Sequence, residues 1–110
     1  MDTVEGLCQV VTAVGTEEGA LDLASKVVGR RLAACCQVAG PVRSVYRWKG
    51  EIHTEEEWLC TMKTPKDSCG ALVEFVAMSH GYETPEILVL DVGGTTPGYM
   101  SWAISETGGA

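Results

Sequence analysis

Val42-Arg43-Ser44-Val45-Tyr46-Arg47-Trp48, then Lys49-Gly50, then Glu51-Ile52-His53-Thr54-Glu55-Glu56-Glu57-Trp58-Leu59-Cys60-Thr61-Met62-Lys63 is the stretch on which the fold turns. It is rich in β-branched and aromatic residues, and Gly50 falls where the chain can reverse. That pattern predicts a β-hairpin with a long second arm. At about 3.3 Å per residue the arm reaches roughly 40 Å, against a radius of gyration of about 13–14 Å for a compact chain of this size. The arm therefore overhangs its own domain. Either its charges keep it soluble alone, or another copy of the chain pairs with its unused amides.

A two-residue turn at Lys49-Gly50 sets Trp48 opposite Glu51, Tyr46 opposite His53 and Ser44 opposite Glu55 on one face of the ribbon. Arg47 then meets Ile52, and Val45 meets Thr54, on the other. A bulge at Gly50 would shift this register by one residue and exchange the faces.

Upstream of the hairpin, Leu7 to Val14 is a β-prone run closed by Gly15. Thr16 then reads as a helix N-cap, with Glu17 and Glu18 in the first turn and Lys26, Arg30 and Arg31 in the last, complementing the helix dipole. Ala20, Leu23, Ala24, Val27 and Val28 supply the apolar stripe. Leu32 to Val38 forms a second strand, and Pro41, which lacks an amide donor, implies an edge or a bulge there. Downstream, Thr64 reads as an N-cap with Pro65 at the first helical position and Asp67 in the first turn. Cys69, Leu72, Phe75 and Val76 are its buried stripe, and Gly81 is a natural stop. Tyr82 to Glu86 is a loop, Ile87 to Val92 a short buried strand, and Thr96-Pro97 the start of a last helix that fades at Thr107-Gly108-Gly109-Ala110.

The order β-α-β-β-α-β plus a short helix defines an α+β, ferredoxin-like sandwich over residues 1–110, with both main helices on one face of an antiparallel sheet. Right-handed crossovers place the first and third strands together at its centre. The fold alone carries no function.

With 110 residues and 45% hydrophobic content, the chain supports one domain with one core. A net charge of −7 argues against nucleic acid, whose phosphates need basic surface, and against an anionic membrane. Met1, Asp2 and Glu5 open without a basic leader or an apolar run, so a soluble cytoplasmic protein is expected. The five cysteines are odd in number and contain no C-x-x-C pair. Adjacent Cys35 and Cys36 point to opposite faces of a strand and cannot clasp one ion together. Small buried hydrophobes are the ordinary reading of all five, and a soft-metal role for one is the sharper alternative.

His80 at a helix end is either a structural terminus or, with Glu86 across the Pro85 turn, a metal or anion contact. His53, flanked on its own face by Glu51 and Glu55, is a surface residue or part of a weak metal site. Glu55-Glu56-Glu57 reads as solvation of an exposed edge. Gly93-Gly94-Thr95-Thr96 lacks phosphate-loop spacing and reads as a turn. Nothing in the chain demands an enzyme, and the acidic first loop rules out an acylphosphatase-type phosphate site. Tyr46, Trp48, Trp58, Tyr82 and Trp102 lie mostly off the helical stripes, as rings at interfaces do.

Lys26-Val27, Arg31-Leu32-Ala33-Ala34-Cys35, Ser44 to Ile52, Met62-Lys63-Thr64, His80 to Ile87 and Tyr99-Met100-Ser101-Trp102 together resemble the CutA family of divalent-cation tolerance proteins. The resemblance covers nearly the whole chain. It implies a ferredoxin-like protomer in a tight homotrimer, long strands pairing between subunits, and an architecture similar to PII-type signalling trimers. It also implies inter-subunit clefts near Tyr46, Trp48, Lys63, Tyr82, Glu86 and Trp102, able to hold a small polar ligand. Tolerance and binding of divalent metals such as copper or zinc would fall to His80 and Glu86. Thr12 and Ser79 stand where some bacterial members carry Cys and His. Two functions follow as expectations: a non-enzymatic divalent-metal response protein, or a PII-like small-molecule sensor that signals to a partner.

Overall fold

A computed structural model describes residues 6–108, so the leader reading at Met1 to Glu5 and the final fade at Gly109-Ala110 lie outside the described residues. The elements run β1 (Leu7–Val14), α1 (Glu17–Gly29), β2 (Cys35–Trp48), β3 (Glu51–Pro65), α2 (Lys66–Ser79), β4 (Ile87–Val92) and α3 (Pro97–Glu106). The sheet has the order β2-β3-β1-β4 with every neighbour antiparallel. The central β1–β3 pair is the one expected from two right-handed crossovers.

Side chains alternate across this sheet, so the register assigns the two faces. Val10, Cys60 and Met62 face α1 and α2 and join Ala20, Leu23, Val27, Leu72 and Val76 in the main core. The opposite face carries Val11, Ala13, Leu59, Leu88 and Leu90. α3 covers only its far end, where Ala103 closes over Leu7 and Ala34. The second face is therefore largely open in a single chain.

The hairpin has the expected register: Trp48 pairs Glu51, Tyr46 pairs His53 and Ser44 pairs Glu55. Both turn residues lie at positive φ, Lys49 at 51° and Gly50 at 82°, the primed geometry that suits the twist of a two-residue hairpin. The bulge sits further back. Ala39 pairs Leu59 and Val42 pairs Glu57, so Gly40 and Pro41 both stand opposite Trp58 and the phase of β2 changes there. β1 reaches β3 only as far as Trp58. Beyond that point Val42–Trp48 and Glu51–Glu57 form a two-stranded ribbon that stretches the molecule to 50 Å in its longest dimension.

Several local expectations need correction. Thr64 does not cap α2; it is buried and its hydroxyl donates to the Leu32 carbonyl at 2.8 Å, leaving Pro65 at the N-cap with no side-chain bond. Val28 is exposed rather than part of the α1 stripe, because the helix presents only Ala20, Leu23 and Val27 squarely to the sheet. Arg31 lies beyond α1 at φ 61°, and its guanidinium serves the end of α3 instead. Gly81 is not a left-handed stop, since α2 ends with His80 extended. β4 is not a buried strand. It forms the sheet's edge, and Leu88, Val89 and Leu90 are about half exposed there, Leu88 and Leu90 on the open face and Val89 on the helix side. Trp58 also departs from the interface set, for it packs against the main core.

Candidate functional site

Where the ribbon leaves the sheet, a cavity of about 650 Å³ opens between the hairpin and the loop that follows α2. Its walls are Tyr46 and Trp48 from β2, Glu55 and Glu57 from β3, and Tyr82 and Glu86 from the loop. The hairpin register is what gathers the first four. Residues 46, 48, 55 and 57 share one face because the Lys49-Gly50 turn fixes their phase, Val42 and Ser44 alternate onto the same face, and the bulge at Gly40-Pro41 changes the phase only of the residues before it.

The loop is fastened at both ends. Thr12, fully buried on β1, donates its hydroxyl to the Glu86 carbonyl at 2.6 Å. His80 Nε2 lies 2.8 Å from the Ala13 carbonyl, and its Nδ1 accepts the Tyr82 amide at 3.1 Å. A carbonyl can only accept and an amide can only donate, so these two bonds select the Nε2–H tautomer. The His80 ring also lies 4.8 Å from that of Tyr82. Histidine thus aims the tyrosine.

Tyr82 donates its phenol to Glu57 Oε2 at 2.8 Å, and Tyr46 donates to Glu55 Oε1 at 2.9 Å. Burial, reinforced by the bond to Glu57, pushes the Tyr82 hydroxyl up to about 12. The bond to Glu55 raises that of Tyr46 as well. His53 stacks on Tyr46 with centroids 5.4 Å apart, a brace for that ring.

The expected site residues divide into separate places. Tyr46, Trp48, Tyr82 and Glu86 line the cavity, whereas Lys63 and Trp102 do not. Lys63 bonds the Gln37 side chain at the other end of the open face, and Trp102 lies on α3 with its ring 5.4 Å from Tyr99. His80 opens onto a different, smaller hollow beside α1, so Glu86 and His80 do not share one pocket. Both His80 nitrogens are already engaged, and no group of three His, Cys, Asp or Glu side chains among the described residues could hold an ion. Within one chain the donors do not fit a chelated metal. Glu55 and Glu57 were missed as cavity residues. Their phase with Tyr46 was available from the hairpin register, but the loop that closes over them was not.

The cysteines follow the burial reading for Cys8 and Cys60, while Cys35, Cys36 and Cys69 are half-buried, and all five are free. Burial, with a bond to Cys69, raises Cys8 to about 12. Cys36 is raised by donation to Cys60 and by burial, and Cys60 is correspondingly lowered. These thiols belong to the packing.

A four-stranded antiparallel sheet with two helices on one face, an open second face and a projecting ribbon defines a ferredoxin-like α+β protein built around an acidic, aromatic cleft. The CutA1 divalent ion tolerance protein family matches residues 8–106, and the chain belongs to that family. It is 33% identical to the chloroplastic protein CutA 1 of Oryza sativa subsp. japonica over 96% of this chain, and spans 59% of that relative's length. The divalent-cation tolerance protein CutA of Thermus thermophilus is 35% identical, covering 90% of this chain and 96% of its own. The crystal structure of CutA1 from Oryza sativa matches with a TM-score of 0.92 at 30% identity, over 99% of this chain and 100% of that one. Among the described residues no helix is long and apolar enough to cross a membrane.

Proposed function

We propose that this chain serves divalent-ion tolerance as a non-catalytic homotrimer that senses a small ligand in the cleft at the base of its ribbon. The observation that carries this reading is the juxtaposition of a built cleft with surfaces that one chain leaves unfinished. The cleft's tyrosines and carboxylates are tied pairwise, which holds its walls in place before any ligand arrives. Among the described residues no strand pairs with either outer edge of the ribbon beside it, and a two-stranded ribbon is marginal in water without a third strand. Leu88 and Leu90 lie half exposed on the open face. Burying that face against sister copies supports association through the sheets and places each cleft close to a neighbour.

Occupancy of such a cleft would be transmitted through the loop from Gly81 to Glu86, since Thr12 and His80 couple that loop directly to the central strand. A weak direct contact of copper or zinc with Glu86, whose side chain is exposed at the rim, would have to draw further donors from another copy.

Light scattering during gel filtration tests the assembly: a mass three times that of the chain is expected, and a monomer would refute it. Calorimetric titration with copper(II), zinc(II) and a panel of small metabolites tests the ligand. Saturable binding of a metabolite that Glu86→Ala weakens is expected. Copper binding that His80→Ala abolishes, with no metabolite bound, would replace the sensor reading by a metal one.

A further inference from the structure

Two of the packed thiols stand where they can react with each other. α2 is pinned to β1 at both of its ends: the Lys66 amide donates to the Gly6 carbonyl at 2.9 Å, and His80 Nε2 lies 2.8 Å from the Ala13 carbonyl. The helix from Lys66 to His80 rises about 21 Å and the strand from Gly6 to Ala13 about 23 Å, so the two run side by side in the same direction. Cys69 lies about 4.5 Å along the helix from the first pin, and Cys8 about 6.6 Å along the strand from it. Their heights agree to about 2 Å. Lys66 Nζ, 3.3 Å from Asp91, adds a third tie at this level, because Asp91 pairs Cys8 across the sheet. Cys8 has the sheet parity of Val10, which faces the helices, and Cys69 packs against the core from α2. The sulfurs accordingly meet, and the Cys8 thiol donates a hydrogen bond to Cys69.

Their exposures differ. Cys8 is 1% exposed, whereas Cys69 is half-buried on the helix side of the sheet, away from the open face assigned to association. A reagent from solvent therefore reaches Cys69 and finds Cys8 directly behind it. Cys36 and Cys60 also combine a half-buried with a buried thiol, but Cys36 pairs Met62 while Cys60 pairs Val38. Such diagonal neighbours have Cα atoms about 7–8 Å apart, beyond the roughly 4.4–6.8 Å that a disulfide bridges. Cys35, on the opposite face of β2 from Cys36, accepts from the Tyr99 hydroxyl instead.

We infer that Cys69 and Cys8 form a peroxide-responsive dithiol that closes into a disulfide between α2 and β1. The Cys69 sulfur attacks the O–O bond of a peroxide, ROOH, which leaves a sulfenic acid on Cys69 and releases the alcohol ROH, or water from hydrogen peroxide. The Cys8 sulfur then displaces hydroxide from that sulfenic acid, and the Cys8 proton leaves with it as water. The two thiols give up two electrons in all, which the broken O–O bond takes up. The product ties the helix that ends in His80 to the strand beneath it, so the frame from which the cleft loop hangs becomes one covalent unit. This holds whatever the cleft binds.

The test is exposure of the assembled protein to one equivalent of hydrogen peroxide, followed by thiol counting in denaturant and mass spectrometry of peptides. Two of the five thiols should disappear, a peptide joining Cys8 to Cys69 should form, and dithiothreitol should restore all five. The melting midpoint of the oxidised protein should rise by about 10 °C, as for a disulfide that closes a long loop. Cys36→Ala should lose the same two thiols. Cys8→Ala should halt at a sulfenic acid on Cys69 that dimedone labels, and Cys69→Ala, at a half-exposed position, should keep Cys8 reduced. Peptide mapping of wild type decides the matter even where Cys8→Ala does not fold. Five thiols left intact, a bridge mapped to Cys36 and Cys60, or a bridge between two copies would each overturn the inference. So would oxidation of Cys69 beyond the sulfenic acid with Cys8 still free.

Discussion

Thr12 on the central strand holds Glu86 by its backbone, hydroxyl to carbonyl at 2.6 Å, across 74 positions of sequence. This fully buried hydroxyl is what ties the cleft loop to the sheet at that end, and a methyl in its place would leave the carbonyl without its donor. Thr12→Val should therefore cost about 1–2 kcal/mol, as for a buried hydrogen bond broken on one side. Urea melts measure the loss. Amide exchange should quicken at Tyr82 to Glu86 and stay slow in the centre of β1, and uniform quickening would show that Thr12 supports the core as a whole.

The ribbon was legible because its determinants are local. A two-residue turn with an extended run on either side fixes which residues face each other, and Tyr46 opposite His53 needs nothing from the rest of the chain. The misreadings at Thr64, β4 and Glu57 share one physical origin. Thr64 satisfies the Leu32 carbonyl from 32 positions away, and Glu57 is covered by a loop whose Tyr82 lies 25 positions on. Nothing in the neighbouring residues marks either partner. β4 carries the apolar composition of a buried strand, and sequence cannot say whether the covering layer comes from the same polypeptide. Tyr46, Trp48, Tyr82 and Glu86, which family resemblance groups with Lys63 and Trp102 in a cleft between subunits, line this cavity of the single chain. Their union with Glu55 and Glu57 required the fold.

Two glycines should respond to alanine in opposite directions. At Gly40 a Cβ would stand 2.6 Å from the Trp58 indole and 3.0 Å from the Glu57 carbonyl oxygen. Trp58 packs against the core and cannot simply swing away, so Gly40→Ala should cost about 1–3 kcal/mol through overpacking at the bulge. Gly70 is exposed within α2, with nothing within 4 Å of its Cβ position. Gly70→Ala should stabilise by about 0.5–1 kcal/mol, since alanine loses less backbone freedom in a helix. Thermal melts of the two variants check both signs.

Tyr82 gives stability a dependence on alkaline pH. Its hydroxyl is raised from the ordinary 10 to about 12 in the folded chain, so between those values the unfolded state releases a proton that the folded state retains. Folding then binds more protons than unfolding, and this contribution is present below pH 10 and fades as pH rises through 12. Denaturant melts across that window should show a steeper decline for wild type than for Tyr82→Phe. Absorbance of the folded protein near 295 nm should show one late-titrating phenol missing in the variant. Parallel declines would place the elevated phenol elsewhere.

Arg31 connects the end of α1 to the end of α3. Its Nη2 donates to the Ser105 carbonyl at 2.7 Å and its Nε to that of Gly108 at 3.3 Å, while its own carbonyl accepts the Gly108 amide at 3.0 Å. Helix C-termini leave carbonyls without intrahelical partners and carry partial negative charge, so a guanidinium there satisfies both needs. The fork matters as well as the charge, because one ammonium cannot reach two carbonyls in fixed directions as a planar guanidinium does. Arg31→Met should cost about 1.5–3 kcal/mol, the range for hydrogen bonds from a charged donor, and Arg31→Lys should recover only part of it. Exchange of the α3 amides should accelerate first, followed by exposure of the Ala103 contact with Leu7 and Ala34. Full recovery in Arg31→Lys would reduce the interaction to dipole complementarity. Fraying that begins in α1 would show that Arg31 caps its own helix after all.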